Sequence, residues 1–79
     1  MIYKARITAV HLIGGQIRID GVLLENGKEF PMPTVSLEAA TADVPQAIEK
    51  IRSEIQKFKN SRSLEALLQQ YIDQEVVLP

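Results

Sequence analysis

The chain has 79 residues, no cysteine and a net charge of −1, which excludes disulfides and thiolate metal sites. A domain of this length lies near the lower limit for folding on its own core, and such domains often rely on a disulfide, a metal or a partner chain. With disulfides excluded and no metal-ligand spacing present, an oligomer is the favoured solution. The even charge balance and the few aromatic residues argue against a dedicated nucleic-acid binder.

No apolar run approaches the roughly 20 residues that a transmembrane helix needs. Lys4 and Arg6 precede an apolar stretch that superficially suggests a signal peptide. However, Thr8 and His11 interrupt the stretch, and no small-residue cleavage site follows it. We therefore expect a cytoplasmic protein that does not associate with membranes.

Residues 2–13 are rich in β-forming side chains, but their alternation changes phase. Tyr3 and Ile7 share one face of an extended strand, whereas Val10 and Leu12 fall on the other face. Either a bulge restores the phase, or both faces of the strand are partly covered.

The glycine pair at positions 14–15 predicts a two-residue hairpin turn, because both central positions of a type I′ turn require a positive φ. In the resulting register, Leu12 faces Ile17 on one side of the sheet. His11 faces Arg18 on the other side. The agreement of apolar and polar pairs supports the hairpin.

A second strand is predicted from Gln16 to Glu25. The dipeptide at 20–21 is a turn signal, but two tight turns six residues apart would leave very short strands, so we prefer a kink or bulge there. The dipeptide at 26–27 predicts a true turn. This turn pairs Leu23 with Phe30, as expected for a stable antiparallel pair.

Pro31 and Pro33 remove two backbone donors, which places them at a sheet edge or between elements. Residues 34–37 then either continue the third strand or form a short fourth one, and residues 38–42 lead into a helix. Residues 1–38 are thus predicted to form an antiparallel β-meander.

The segment 43–59 is the predicted first helix. Asp43 is a suitable N-cap, Gln46 can complete a capping box, and Pro45 suits the first turn. Steps of three and four residues place the apolar side chains on one stripe: Val44, Ile48, Ile51, Ile55 and Phe58.

A second helix is predicted over residues 63–76, because Asn60, Ser61 and Ser63 supply breaking and capping residues. Its apolar stripe contains Leu64, Leu67, Leu68, Tyr71 and Ile72. The short connection makes the two helices antiparallel neighbours, with at least one on the sheet. The predicted fold is α+β: a small antiparallel meander of three to four strands followed by two C-terminal helices.

The sequence contains no recognisable catalytic constellation. His11 is the only histidine, and its predicted neighbour, Arg18, is a poor partner for a general base. No serine lies in a nucleophile-elbow setting, and the glycine pair lacks the lysine of a phosphate loop. The carboxylates have no metal-ligand spacing. We expect no enzymatic activity, no metal and no cofactor.

Six cations are candidates for contact with an anion or a nucleic acid: Lys57, Lys59, Arg62, Lys4, Arg6 and Arg18. The first three cluster at the predicted helix–helix turn, where the amides of a second helix N-terminus would add positive potential. The last three would share the open face of the sheet. An ordinary structural interpretation is preferred for both groups, because cations suit a helix C-terminus and charges on strands oppose aggregation.

The apolar tail formed by Val76, Val77 and Leu78 is the candidate oligomer interface. Together with the small core and the missing catalytic residues, it predicts a non-catalytic interaction or assembly module. Such a module would act as a homo-oligomer or as a small subunit of a larger complex. The alternative is a small nucleic-acid-binding accessory protein that uses the basic residues of segment 57–63.

Overall fold

Four antiparallel strands form one sheet, and a single long helix covers one of its faces. A computed structural model describes residues 1–79. The strands are β1 (Tyr3–Ile13), β2 (Gln16–Glu25), β3 (Lys28–Pro31) and β4 (Val35–Glu38), followed by helix α1 (Val44–Leu68). The α+β class and the antiparallel sheet are as predicted from the sequence, but only one helix is present.

Both predicted hairpin turns are confirmed by their backbone geometry. The central residues of the first turn, Gly14 and Gly15, have φ values of 57° and 77°. Those of the second turn, Asn26 and Gly27, have φ values of 49° and 85°. Positive φ at both central positions is what a type I′ turn requires. The predicted pairs are therefore present, including Leu12 with Ile17, His11 with Arg18 and Leu23 with Phe30.

A bulge in β1 resolves the change of phase. The register between β1 and β2 shifts between Ile7 and Ala9, opposite Asp20 and Gly21. The extra residue, Thr8, places Ile7 and Val10 on the same face of the sheet. Gly21 is required at this point, because a Cβ atom there would lie 2.5 Å from the carbonyl oxygen of Arg6.

The fourth strand does not continue the meander. β3 pairs with residues 22–25 of β2, and β4 pairs with residues 16–19 of the same strand, so the two short strands follow one another along one edge of β2. β3 ends at Pro31, as expected for a residue that lacks a backbone donor. The side chain of Thr34 donates a hydrogen bond to Asp20 over 2.8 Å at the connection.

Helix α1 begins as the sequence predicts. The N–H of Gln46 donates to the Asp43 side chain over 2.9 Å, and the N–H of Asp43 donates to the Gln46 side chain over 3.1 Å. This reciprocal pair is a capping box, and Pro45 lies in the first turn. The capping box therefore satisfies the amides of Asp43 and Gln46 at the start of the helix.

The prediction of two helices, 43–59 and 63–76, is wrong. The helix continues through Asn60 and Ser61 to Leu68, followed by a single 3₁₀ turn at Gln69–Tyr71. Neither residue breaks the helix: Gln56 donates to the Asn60 side chain, and the Ser61 hydroxyl donates to the carbonyl of Lys57, one turn back. The chain also has no glycine or proline between residues 46 and 78.

The core lies between the helix and the covered face of the sheet. Its buried residues are Ile19, Leu23, Met32, Val35, Leu37 and Ile51. Ile51 is the only buried residue of the predicted helical stripe, and Val44 remains largely exposed. Only seven of the 79 residues are buried in the whole chain, so a large share of the apolar side chains lies outside the core.

Candidate interaction surfaces

The Arg62–Glu25 ion pair joins the helix to the sheet. Nε and Nη2 of Arg62 each donate to a carboxylate oxygen of Glu25 over 3.0 Å, while Nη1 donates to Glu65 over 2.8 Å. The guanidinium carbon lies 5.0 Å from the ring centroid of Phe30. Phe58 contacts that ring as well, with 4.9 Å between the centroids. A bidentate pair beside aromatic rings holds the helix in a defined orientation.

The electrostatics of this pair favour its charged form. The hydrogen bonds from Arg62 lower the pKa of the Glu25 carboxyl, and the same bonds raise the pKa of Arg62. Burial, together with the adjacent carboxylate of Glu25, raises the pKa of the Tyr3 hydroxyl. The cluster is therefore a stable ion pair at neutral pH with a neutral tyrosine beside it.

Arg62 is the last residue of the chain that is even half-buried. Every residue from 63 to 79 is exposed, and we call this segment the C-terminal arm. Five large apolar side chains of the arm are each more than half exposed: Leu64, Leu67, Leu68, Tyr71 and Ile72. The arm thus carries an apolar surface that nothing in its own chain covers.

The apolar stripe of the arm points away from the sheet. At about 100° per residue, Ile55, Phe58 and Arg62 lie within about 40° of the buried Ile51 around the helix axis. On the same basis, Leu64 and Leu67 lie about 140° and 160° from Ile51. One continuous helix therefore presents its first apolar stripe to the sheet and its second stripe to solvent.

A second exposed apolar surface lies on the covered side of β1. Ile7, Val10 and Leu12 share this face because of the bulge, yet they are 47%, 56% and 68% exposed. Leu12 pairs with Ile17, which lines a shallow cleft together with the exposed Val44. We call Ile7, Val10 and Leu12 the strand patch. The helix leaves this edge of the sheet uncovered.

The total surface is large for a chain of this mass. The exposed area is 6147 Å², whereas a folded monomer of 8.8 kDa is expected to expose about 4,800 Å². The Cα radius of gyration is 16.6 Å, against about 11.6 Å for a compact domain of this length. The excess area is about 1,350 Å² per chain, and the arm contributes to it along its whole length.

The cations of segment 57–63 do not lie at a turn. The continuous helix removes the second helix N-terminus that the anion-binding hypothesis required. Arg62 is engaged by Glu25 and Glu65, and Lys57 lies 3.4 Å from Glu54. The structure gives Lys59 no carboxylate partner. These three residues therefore do not converge on one point.

The other three candidate cations lie on the open face of the sheet, as predicted. Their cross-strand pairs show this: Lys4 of β1 pairs with Leu24 of β2, and Arg18 of β2 pairs with His11 of β1, both on the face opposite the core. Arg6 forms an ion pair with Glu29, and both side chains are more than half exposed. This face carries anionic as well as cationic side chains. Nowhere in the chain do three acidic or histidine side chains group as a metal site would need.

The tail residues Val76, Val77 and Leu78 lie at the end of the arm and are 89%, 80% and 93% exposed. The larger surface formed by Leu64, Leu67, Leu68 and Tyr71 was missed as an interface, because the sequence predicts that these residues pack within the chain. The missing signal was the absence of glycine and proline between residues 46 and 78. With one continuous helix, the angular positions follow directly. No helix of the chain has the length and apolar character needed to span a membrane.

Comparisons with protein families, characterised proteins and solved structures found no match to this chain. The functional conclusion therefore depends on the arm, the strand patch and the arrangement of charges.

Proposed function

We propose that this protein is a non-catalytic assembly module that functions as a homo-oligomer or as a small subunit of a larger complex. The observation that carries the proposal is the excess exposed surface of about 1,350 Å² per chain over that of a compact monomer. Obligate homodimers bury about 2,000–5,000 Å² in total, so two copies that each bury this excess fall within that range.

The chemistry of the exposed surfaces supports the same proposal. The arm and the strand patch both expose several large apolar side chains, whereas monomeric proteins rarely expose large apolar patches. A chain with seven buried residues also has a small core, and burying apolar area against a second chain adds stability. Association then completes the hydrophobic core that one chain leaves unfinished.

Nucleic-acid binding receives less support from the structure. Of the six candidate cations, Arg62, Arg6 and Lys57 have carboxylate partners, and the helical and sheet groups lie on different layers. Binding through phosphates would require free cations on one continuous surface, and it would weaken steeply with salt. We therefore propose that the protein functions through the apolar surfaces of the arm and the strand patch.

The proposal is tested by the solution mass from light scattering on a sizing column, at low and at moderate salt. We expect a defined dimer or higher oligomer at both salts, because apolar contacts are not screened by ions. A mass of 8.8 kDa at tens of micromolar protein would contradict the proposal. Titration of single- and double-stranded nucleic acid would then be the informative next step.

A further inference from the structure

We infer that the arm packs against the arm of a second copy of the chain. The two arms pair antiparallel through Leu64, Leu67, Leu68 and Tyr71. This inference rests on the proposed self-assembly and specifies the surface that performs it. It goes beyond the tail residues at 76–78, because it places the centre of the interface on the helix itself.

The first argument is the direction of the apolar stripe. Leu64 and Leu67 lie on the side of the helix that faces away from the sheet, and residues 63–79 are exposed throughout. The helix is continuous, its start is held by the capping box and Arg62 near its end is held by Glu25, so the stripe cannot turn toward its own core. A surface outside the chain must therefore cover it.

The second argument is the distribution of charge along the arm. Lys57 lies two turns before Leu64 on the same side of the helix, whereas Asp73 and Glu75 follow Tyr71. Between these ends, the stripe carries no charged side chain. An antiparallel pair turns the basic end of each helix toward the acidic C-terminal end of the other copy. A parallel pair would bring like charges together, which is unfavourable.

The third argument is register. If the two-fold axis passes between Leu67 and Leu68, Leu64 of one copy lies opposite Tyr71 of the other. In this register the segment from Leu64 to Tyr71, about 11 Å long at 1.5 Å per residue, faces the same segment of the other copy. An isologous contact of this kind closes as a dimer and leaves no open end.

Engineered cysteines test the register, because the wild-type chain has none. The full-length variants Leu64→Cys and Tyr71→Cys, one of them with an affinity tag of different mass, are mixed in equal amounts and oxidised mildly. Cysteine is a small apolar residue, so each single change retains most of the stripe. Ser53→Cys, on the exposed part of the helix outside the arm, is the matched control.

A disulfide needs Cα atoms within about 7 Å, so we expect the mixed 64–71 disulfide to exceed either homodisulfide at least about fivefold, with none formed by the Ser53→Cys control. Predominant 64–64 and 71–71 disulfides would overturn the antiparallel arrangement. Absence of all three crosslinks in samples whose mass is still that of an oligomer would overturn the arm as the interface and leave the proposed function standing. A monomeric wild-type mass would overturn both.

Discussion

At the residue scale, Arg62 marks the point where packing within the chain ends. Its guanidinium contacts Glu25 at the end of β2, Glu65 on the same helix and the ring of Phe30. Because Arg is planar and always charged, it satisfies these partners simultaneously. The residue therefore orients the helix on the sheet and has little remaining capacity to bind an external anion.

Replacing Glu25 with Gln should lower the stability of the fold at neutral pH and flatten its dependence on pH. Arg62 lowers the pKa of Glu25 in the folded chain, so the ionised carboxylate stabilises the fold above the unfolded-state pKa of about 4.3. This stabilisation is lost as the pH falls from about 5 through the lower folded-state pKa. Urea unfolding between pH 3 and pH 7 (approximate limits) measures the effect.

The matched control is Glu29→Gln, since Glu29 pairs with Arg6 where both side chains are more than half exposed. Exposed ion pairs contribute little, so this variant should retain the pH dependence of the wild type. Equal behaviour of the two variants would contradict the role assigned to the Arg62–Glu25 pair.

At the element scale, the sheet could be predicted because its information is local. Glycine and Asn-Gly pairs specify the turns, and each turn specifies the register of its strands. The break in the helix was predicted wrongly because Asn60 and Ser61 are weak signals. Their intrinsic cost in a helix is only about 0.5 kcal/mol each, and both side chains form hydrogen bonds within the helix.

The continuity of the helix can be tested at Ser61. Ser61→Pro should cost about 3 kcal/mol or more, because proline removes the hydrogen bond to Lys57 and clashes with its carbonyl. Ser61→Ala should slightly increase helix content, since alanine is the better helix former. Far-UV circular dichroism measures both variants. A proline variant with unchanged helical signal would indicate that the chain already turns at this position.

At the scale of the whole molecule, the chain forms a plate 18 Å thick and 51 Å long, with one end extended by the arm. The outward direction of the arm's apolar stripe could not be predicted from periodicity alone. Periodicity correctly identifies both stripes as apolar, but their relative direction depends on whether the helix is continuous. A difference of about 140° to 160° around one axis separates a second core-forming helix from an apolar stripe that is exposed to solvent.

The most direct measurement compares the solution masses of the wild type, Leu67→Lys and Gln70→Lys over a dilution series. Both variants add the same charge to the arm, but Gln70 lies off the apolar stripe. We expect the wild type and Gln70→Lys to have at least twice the 8.8 kDa chain mass. An unpaired charge buried in the contact should weaken association of Leu67→Lys by about 100-fold or more. Equal masses for all three proteins would contradict assembly through the arm.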